Sequence, residues 1–505
     1  MAQFNSANGA YQQHAKTLFE ANMLASTDGE PISNTNPLPV TLGSANVNII
    51  GDVTIPATVE VSNDVGNPLP VSGTVSVSGI TGNVTISNTS TISVIGTTTN
   101  PFGKLVLTVD DDTVQHTSRN RRKVSTQEIL MFNTFQIDRD IETWDESFSA
   151  NSTFANAVFD QYEGGVILEV SNTINSEVIR QTRNVIRYVP GRQNELIFTT
   201  RFNGTVAGIR KRVGAFDANN GIYFEDDGGT YSCVIRRGTA NGNVETRFTR
   251  DQWNVDKLDG TGISGVTLDL SKNQMMTIEY EWFGSGQVEW NFVIDNNKFP
   301  IHQYNSGNEK NIAWSNSPFV PHRVELTNTT GATGTHKLFQ GGFAVLSEGT
   351  VGPLGRRRNI SSPISGTSLT NAGTFYPLLS IRMKSDTLNG VVLPFAFQAA
   401  TLDNTAMFIR IIRDATLTGT SWVEEPDSLI EYDVSATAIS GGTIIESGYI
   451  SPQGQGGEVS LSDADTVIQL GRNDLGTTSQ TLTIAVSAIN SNKDGWAGLN
   501  WIEVR

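Results

Sequence analysis

The chain has 505 residues and carries 51 Asp and Glu against 35 Lys and Arg, a formal net charge of −16. That length supports two or three domains with full cores, and that acidity repels bare nucleic acid. The single cysteine, Cys233, excludes an intrachain disulfide, and no run of about 18 apolar residues is present to cross a membrane.

Forty-eight glycines, with frequent Asn, Thr and Ser, call for many tight turns and therefore many short strands. The expected class is mostly β: an N-terminal helix, a β-repeat shaft, then two antiparallel β-sandwich or jelly-roll domains. Residues 1–30 form the helical anchor of that plan. Ala10, His14, Leu18 and Met23 lie near helical spacing with Ala15, Phe19 and Leu24 beside them, and Ser6 or Asn8 is placed to cap the start. An isolated helix this short is marginal in water. Leu18, Phe19, Met23 and Leu24 are therefore the candidate anchoring residues, docked on another protein or on their own copies. The opening Met1-Ala2-Gln3-Phe4-Asn5 lacks a basic stretch followed by an apolar core, so no signal peptide is expected.

Residues 31–103 are the shaft. Between 31 and 100 there is no aromatic residue, no Lys and no Arg, and the only charges are Asp52, Glu60 and Asp64. Val47/Ile49, Val53/Ile55, Val59/Val61, Val75/Val77, Val84/Ile86 and Ile92/Val94 each set two apolar side chains on one strand face. Asn-Pro-Leu-Pro-Val occurs at 36–40 and again at 67–71. One chain cannot build a core from such small pieces, whereas several identical chains wound together bury these stripes against one another. A flexible linker is the competing reading, and linkers do not space valines at alternate positions.

A connector follows at 104–132. A strand at 104–109 ends at Asp110-Asp111-Asp112, and Arg119-Asn120-Arg121-Arg122-Lys123 is the densest basic cluster. In so acidic a protein that cluster is expected to pair with carboxylates of a neighbouring subunit. Aromatics return in the first sandwich, 133–346, with Trp144, Phe148, Phe154, Phe159 and Tyr162. Its expected strands are 166–170, 184–188, 196–202, 221–224, 232–235, 276–282, 288–294 and 322–326. Residues 347–372, rich in Gly, Ser, Pro and Arg, read as a linker. The C-terminal jelly-roll domain, 373–505, has expected strands at 378–381, 391–397, 407–412, 430–434, 443–450, 459–461, 466–470, 481–486 and 501–505.

The stretch 185–326 resembles a domain of structural proteins of tailed bacteriophages, marine and cyanobacterial ones especially. The likeness is carried by Arg212-Val213-Gly214-Ala215-Phe216-Asp217-Ala218-Asn219-Asn220-Gly221-Ile222-Tyr223-Phe224-Glu225. It continues through Trp253-Asn254-Val255-Asp256-Lys257-Leu258-Asp259-Gly260-Thr261-Gly262, Leu268-Asp269-Leu270-Ser271-Lys272 and Tyr280-Glu281-Trp282. The resemblance implies a concanavalin-type sandwich. The Pro-Leu-Pro-Val and Val-Ser-Gly repeats are similar to shafts of phage fibres, which implies a homotrimer. Extracellular-type architecture without an export signal fits assembly in the host cytoplasm, release by lysis and exposure on the particle surface. Fold alone does not fix function.

Signals for chemistry are weak. His14, His116, His302, His322 and His336 show no metal-ligand spacing. Asp110–Asp112 and Glu225-Asp226-Asp227 lack the alternation of a calcium loop and read as turns. Cys233, in a strand pattern with no nearby His, reads as a small buried hydrophobe. No cofactor, metal or catalytic residue is expected. Trp253 and Trp314, in loop-like contexts, are the candidate glycan contacts, since Tyr280/Trp282 and Trp290/Phe292 alternate as core residues do.

The expected function is a non-enzymatic virion protein, a tail or capsid fibre or appendage. It attaches to other virion proteins through its N-terminus and presents the sandwiches to the host surface, with a surface glycan as a candidate ligand. The competing readings are a capsid or baseplate decoration or adaptor protein with no ligand, and a polysaccharide depolymerase, which needs two facing carboxylates.

Overall fold

The computed structural model describes residues 127–149, 154–349, 354–401, 405–450, 457–460 and 468–505. The anchor, the shaft, most of the connector, and with them Leu18, Phe19, Met23 and Leu24, lie outside the described residues. All the described residues fall in one compact unit. Within it the described residues are mostly β.

The first module contains fifteen strands. They are β1 Gln127–Asn133, β2 Trp144–Phe148, β3 Ala155–Asp160, β4 Gly165–Val170, β5 Ser176–Thr182, β6 Asn194–Arg201, β7 Ile209–Phe216, β8 Gly221–Asp227, β9 Thr230–Thr239, β10 Gly242–Thr249, β11 Gln274–Tyr280, β12 Val288–Ile294, β13 Asn297–Tyr304, β14 His322–Asn328 and β15 His336–Glu348. An eight-stranded sheet runs β13-β12-β11-β6-β15-β4-β3, with β1 also on β15, and a seven-stranded sheet runs β10-β9-β8-β7-β14-β5-β2.

Alternation drives both sheets into one core. Leu196 and Phe198 of β6, Met276 and Ile278 of β11, and Trp290 and Phe292 of β12 point inward from the first sheet. Val213 and Ala215 of β7, Ile222 and Phe224 of β8, Cys233 of β9 and Val324 of β14 meet them from the second. Phe224 touches Phe198 at 6.1 Å and Phe292 at 5.5 Å between ring centroids. Each side chain of Phe size buried here contributes about 1.5–3 kcal/mol. Burial pushes the Cys233 thiol well above its ordinary range, so it is an inert core atom.

The second module is a further pair of antiparallel sheets. Five strands form one: Arg356–Ser361, Lys493–Val504, Val391–Ala400 and Gly457–Ser460 in that order, with Thr367–Leu369 also on Lys493–Val504. Six form the other, in the order Val423–Glu424, Ile430–Asp433, Tyr376–Met383, Thr481–Ala488, Met407–Arg413 and Thr443–Ile450. Leu379, Ile381, Ile409, Ile411, Ile484 and Trp501 fill the space between them. Residues 347–372, read as linker from composition, contribute two of these strands. Arg356-Arg357-Arg358 is an edge strand on 501–503 rather than a free basic loop.

The modules meet through apolar and hydrogen-bonded contacts. Val391, Leu393 and Ile502 join the first module's core. The Arg472 backbone N–H donates to the Arg183 carbonyl at 2.8 Å, and the Leu475 N–H donates to Asp145 Oδ2 at 2.5 Å. Segment 184–188 is not the strand that its alternation suggests. Val185, Ile186 and Tyr188 are buried, but the segment joins no ladder, and Ile186 N–H donates singly to the Val320 carbonyl at 2.9 Å.

Candidate functional site

The largest concentration of ionisable side chains among the described residues lies on the outer face of the seven-stranded sheet. Strand pleating makes it. While Val213 and Ala215 point into the core, Arg212 and Phe216 point out, and the same alternation sets Tyr223 and Glu225 of β8 outward. Gly214, opposite Tyr223, is required there: an added Cβ would stand 2.5 Å from the Tyr223 Cα. Register then brings Arg236 of β9, Glu245 and Arg247 of β10, and Arg323 and Glu325 of β14 onto this face.

These groups satisfy one another. Arg212 Nε donates to Glu225 Oε2 at 2.7 Å and its Nη1 to Glu325 Oε2 at 3.3 Å. Arg247 Nε donates to Glu225 Oε1 at 2.6 Å. Glu245 Oε1 accepts from Tyr223 at 2.8 Å and from Arg236 Nε at 2.9 Å. Arg323 donates to Glu325 Oε1 at 2.7 Å and to Gln181 Oε1 at 2.9 Å. Phe216 and Tyr223 lie 4.4 Å apart, and the Arg236 guanidinium sits over both rings at 5.2 and 5.1 Å.

The electrostatics decide what this ladder can do. Burial raises the carboxyls of Glu225, Glu245 and Glu325, but the surrounding arginines outweigh it. For Glu225 these are Arg247 and Arg212, and its carboxyl sits below the usual range. For Glu325 they are Arg323, Arg212 and Arg236, with the same outcome. Glu245 is held at about 2 by Arg212 and Arg236. All three stay ionised at neutral pH. Glycoside hydrolysis needs one carboxyl that keeps its proton near neutrality, and none of these three does. Burial does raise Asp226 and Asp145. Asp226 is enclosed beside Lys211, and Asp145 is capped by the Leu475 N–H, so neither belongs to the ladder.

Glu225-Asp226-Asp227, read as a turn, is the end of strand β8. Among the described residues no group of three or more His, Cys, Asp or Glu could hold a metal ion. Burial pulls His302 and His322 down to about 4, so both are neutral core imidazoles. His322 Nδ1 meets the Gly214 carbonyl at 2.9 Å.

The two tryptophans expected at the surface are core residues. Trp253 and Trp314 are each 5% exposed and belong to the first module's apolar core. Their segments are loops, but the rings turn inward: Trp253 Nε1 donates to the Phe248 carbonyl at 3.1 Å, and Trp314 meets Tyr280 edge-on at 6.4 Å. Neither offers a ring face to a ligand.

The exposed aromatics among the described residues lie elsewhere: Phe132, Phe148, Phe154, Tyr162 and Phe283 on the first module, and Tyr449 on the second. On the outer face of the six-stranded sheet, Phe408 stacks on Tyr449 with centroids 4.6 Å apart and planes 24° from parallel. Phe375 meets Phe408 at 5.7 Å, and the Arg410 guanidinium lies over the Phe375 ring at 4.1 Å. Met407, Ile409 and Ile411 face the core, so Phe408 and Arg410 must face out.

The chain matches no protein-family model and no curated protein. Among solved structures it is similar to the Emp47p carbohydrate recognition domain, at 9% identity and a TM-score of 0.30, covering 45% of this chain and 99% of that one. A legume lectin-like domain from Entamoeba histolytica aligns at 10% identity and 0.26, over 45% of this chain and 100% of that one. A β-1,3-glucanase from Mycobacterium marinum aligns at 13% identity and 0.30, over 44% and 100%. The site is therefore read from its own residues.

Proposed function

We propose that the chain is a non-hydrolytic attachment protein of a tailed bacteriophage. Residues 1–30 fix it to other virion proteins, residues 31–103 wind with two further copies, and the two β modules face the host surface. The observation that carries the non-hydrolytic part is the state of Glu225, Glu245 and Glu325, each ionised and bonded to arginines. The phage assignment is supported by the sequence phrase around 212–225, the need for partner chains by the small apolar stripes of the shaft, and the number three by the resemblance of its repeats to phage fibre shafts.

The test uses the full chain. Fluorescently labelled protein should adsorb to host cells, and incubation with purified host polysaccharide should release no oligosaccharide on size-exclusion chromatography. Sedimentation should report three chains. Deleting residues 1–30 should abolish incorporation into virions and leave adsorption intact. Release of defined oligosaccharides, or absence of adsorption by a folded trimer, overturns the reading.

A further inference from the structure

We propose that the outer face of the six-stranded sheet is a saccharide platform built for sugars that carry a carboxylate. The inference rests on the attachment reading above and names its ligand class. The platform comprises Phe375, Phe408, Arg410 and Tyr449.

Tyr449 is 76% exposed although it lies in a regular strand, Thr443–Ile450. One face of its ring rests on Phe408 and the other is open to solvent. An aromatic face is the electron-rich side of the ring. It suits the C–H-lined face of a pyranose, which is apolar and slightly positive. A single sugar ring covers an area close to that of one tyrosine ring, so Tyr449 over Phe408 forms a backed, rigid stacking surface.

Arg410 adds the charge. Its guanidinium lies 4.1 Å from the Phe375 centroid and 5.1 Å from that of Phe408, which holds the fork beside the stacked pair. Nearby arginines of this module are engaged: Arg382 donates to Glu431 at 2.6 Å, and Arg413 lies 3.4 Å from Glu142. Arg410 pairs with no carboxylate among the described residues. A planar guanidinium accepts a carboxylate through two parallel hydrogen bonds. Register sets the exposed Ser447 opposite Arg410, where its hydroxyl can serve a sugar hydroxyl. In a chain of net charge −16, an unpaired cation beside open aromatic rings selects an anionic ligand over a second acidic copy of the chain.

Polygalacturonate is the probe, with dextran as the neutral control, in affinity electrophoresis and calorimetry on the full chain. The wild type should bind polygalacturonate and not dextran. Tyr449→Ala and Arg410→Gln should each weaken that binding at least tenfold, Arg410→Lys should weaken it less, and Tyr449→Phe should retain it. Unchanged melting temperatures show that the variants fold. Equal binding of both polymers, binding of neither, or full binding by the Ala and Gln variants overturns the proposal. A variant that changes the oligomeric state also overturns it, because the ridge is then a contact between copies. Host adsorption separates the two readings. If ridge variants adsorb as well as the wild type, the platform fails and attachment stands. If the folded wild type does not adsorb at all, attachment itself fails.

Discussion

The two modules turn differently built surfaces outward. On the seven-stranded sheet, Arg212, Glu225, Arg236, Glu245, Arg323 and Glu325 bond to one another across β7, β8, β9, β10 and β14. On the six-stranded sheet, Phe408, Arg410 and Tyr449 make ring contacts, and no carboxylate among the described residues engages Arg410. Side chains whose charges and hydrogen bonds are already satisfied offer a ligand little, because each new bond must replace an old one. A half-exposed ring stack with an unpaired guanidinium still has bonds to make. The richer collection of ionisable groups is thus the poorer candidate for binding.

The comparison breaks most visibly if the ladder is incomplete. Glu225→Ala leaves Arg212 and Arg247 without their shared acceptor in a largely buried setting. The expected cost is about 3–5 kcal/mol, read as a lower urea midpoint by tryptophan fluorescence. A loss under 1 kcal/mol would show the ladder to be solvated.

Acid separates the modules next, because both depressed histidines, His302 and His322, lie in the first. With folded values of about 4 against an ordinary 6.5, the unfolded chain binds protons first. Their stabilising effect is therefore complete above pH 6.5 and lost as pH falls toward 4, by up to about 3 kcal/mol for each imidazole. His302→Phe should remove about half of that slope in a pH series of melting curves. An unchanged slope would place the titration elsewhere.

At the seam, Arg472 is 3% exposed, and its Nε and Nη2 have no partner among the described residues. Its nearest carboxylate, Asp217, is 3.8 Å away and accepts the Asn219 and Asn220 N–H groups, both at 2.8 Å. Arg472→Met should leave stability unchanged or raise it by about 1 kcal/mol, since desolvation exceeds the ionic gain. A clear loss would make Arg472 a working latch. The smallest effect belongs to Tyr449→Ala, expected within about 0.5 kcal/mol of wild type because the ring is mostly in water. A larger loss would put the ridge among the structural contacts.

Period-two alternation made much of the fold legible. It delimits 288–294 and 443–450 as the structure has them, and it marks Met407, Ile409 and Ile411 as inward, which already exposes Phe408 and Arg410. It misleads at 184–188, where apolar residues are buried in the first module's core without joining a ladder. Loop context misled at Trp253 and Trp314, because a loop can lie at the surface while its ring reaches the core. The ladder was hidden for another reason. Arg212, Glu225, Glu245 and Glu325 come from four strands, and a pairing across register leaves no local pattern in a sequence.

The strand Lys493–Val504 has a consequence for how the molecule comes into being. It lies between Arg356–Ser361 and Val391–Ala400, so Arg356 finds its partner only in Glu503. Loop closure of that span must precede most of the pairing that rewards it, the condition for slow folding. On the ribosome, the edge of Val391–Ala400 that takes Lys493–Val504 waits unpaired until that strand emerges, and its buried Val392 and Phe397 wait with it. Synthesis halted before residue 493 would therefore yield a first module beside an open, adhesive sheet. The closing strand makes synthesis of residues 493–504 the step that commits the second module to its native state.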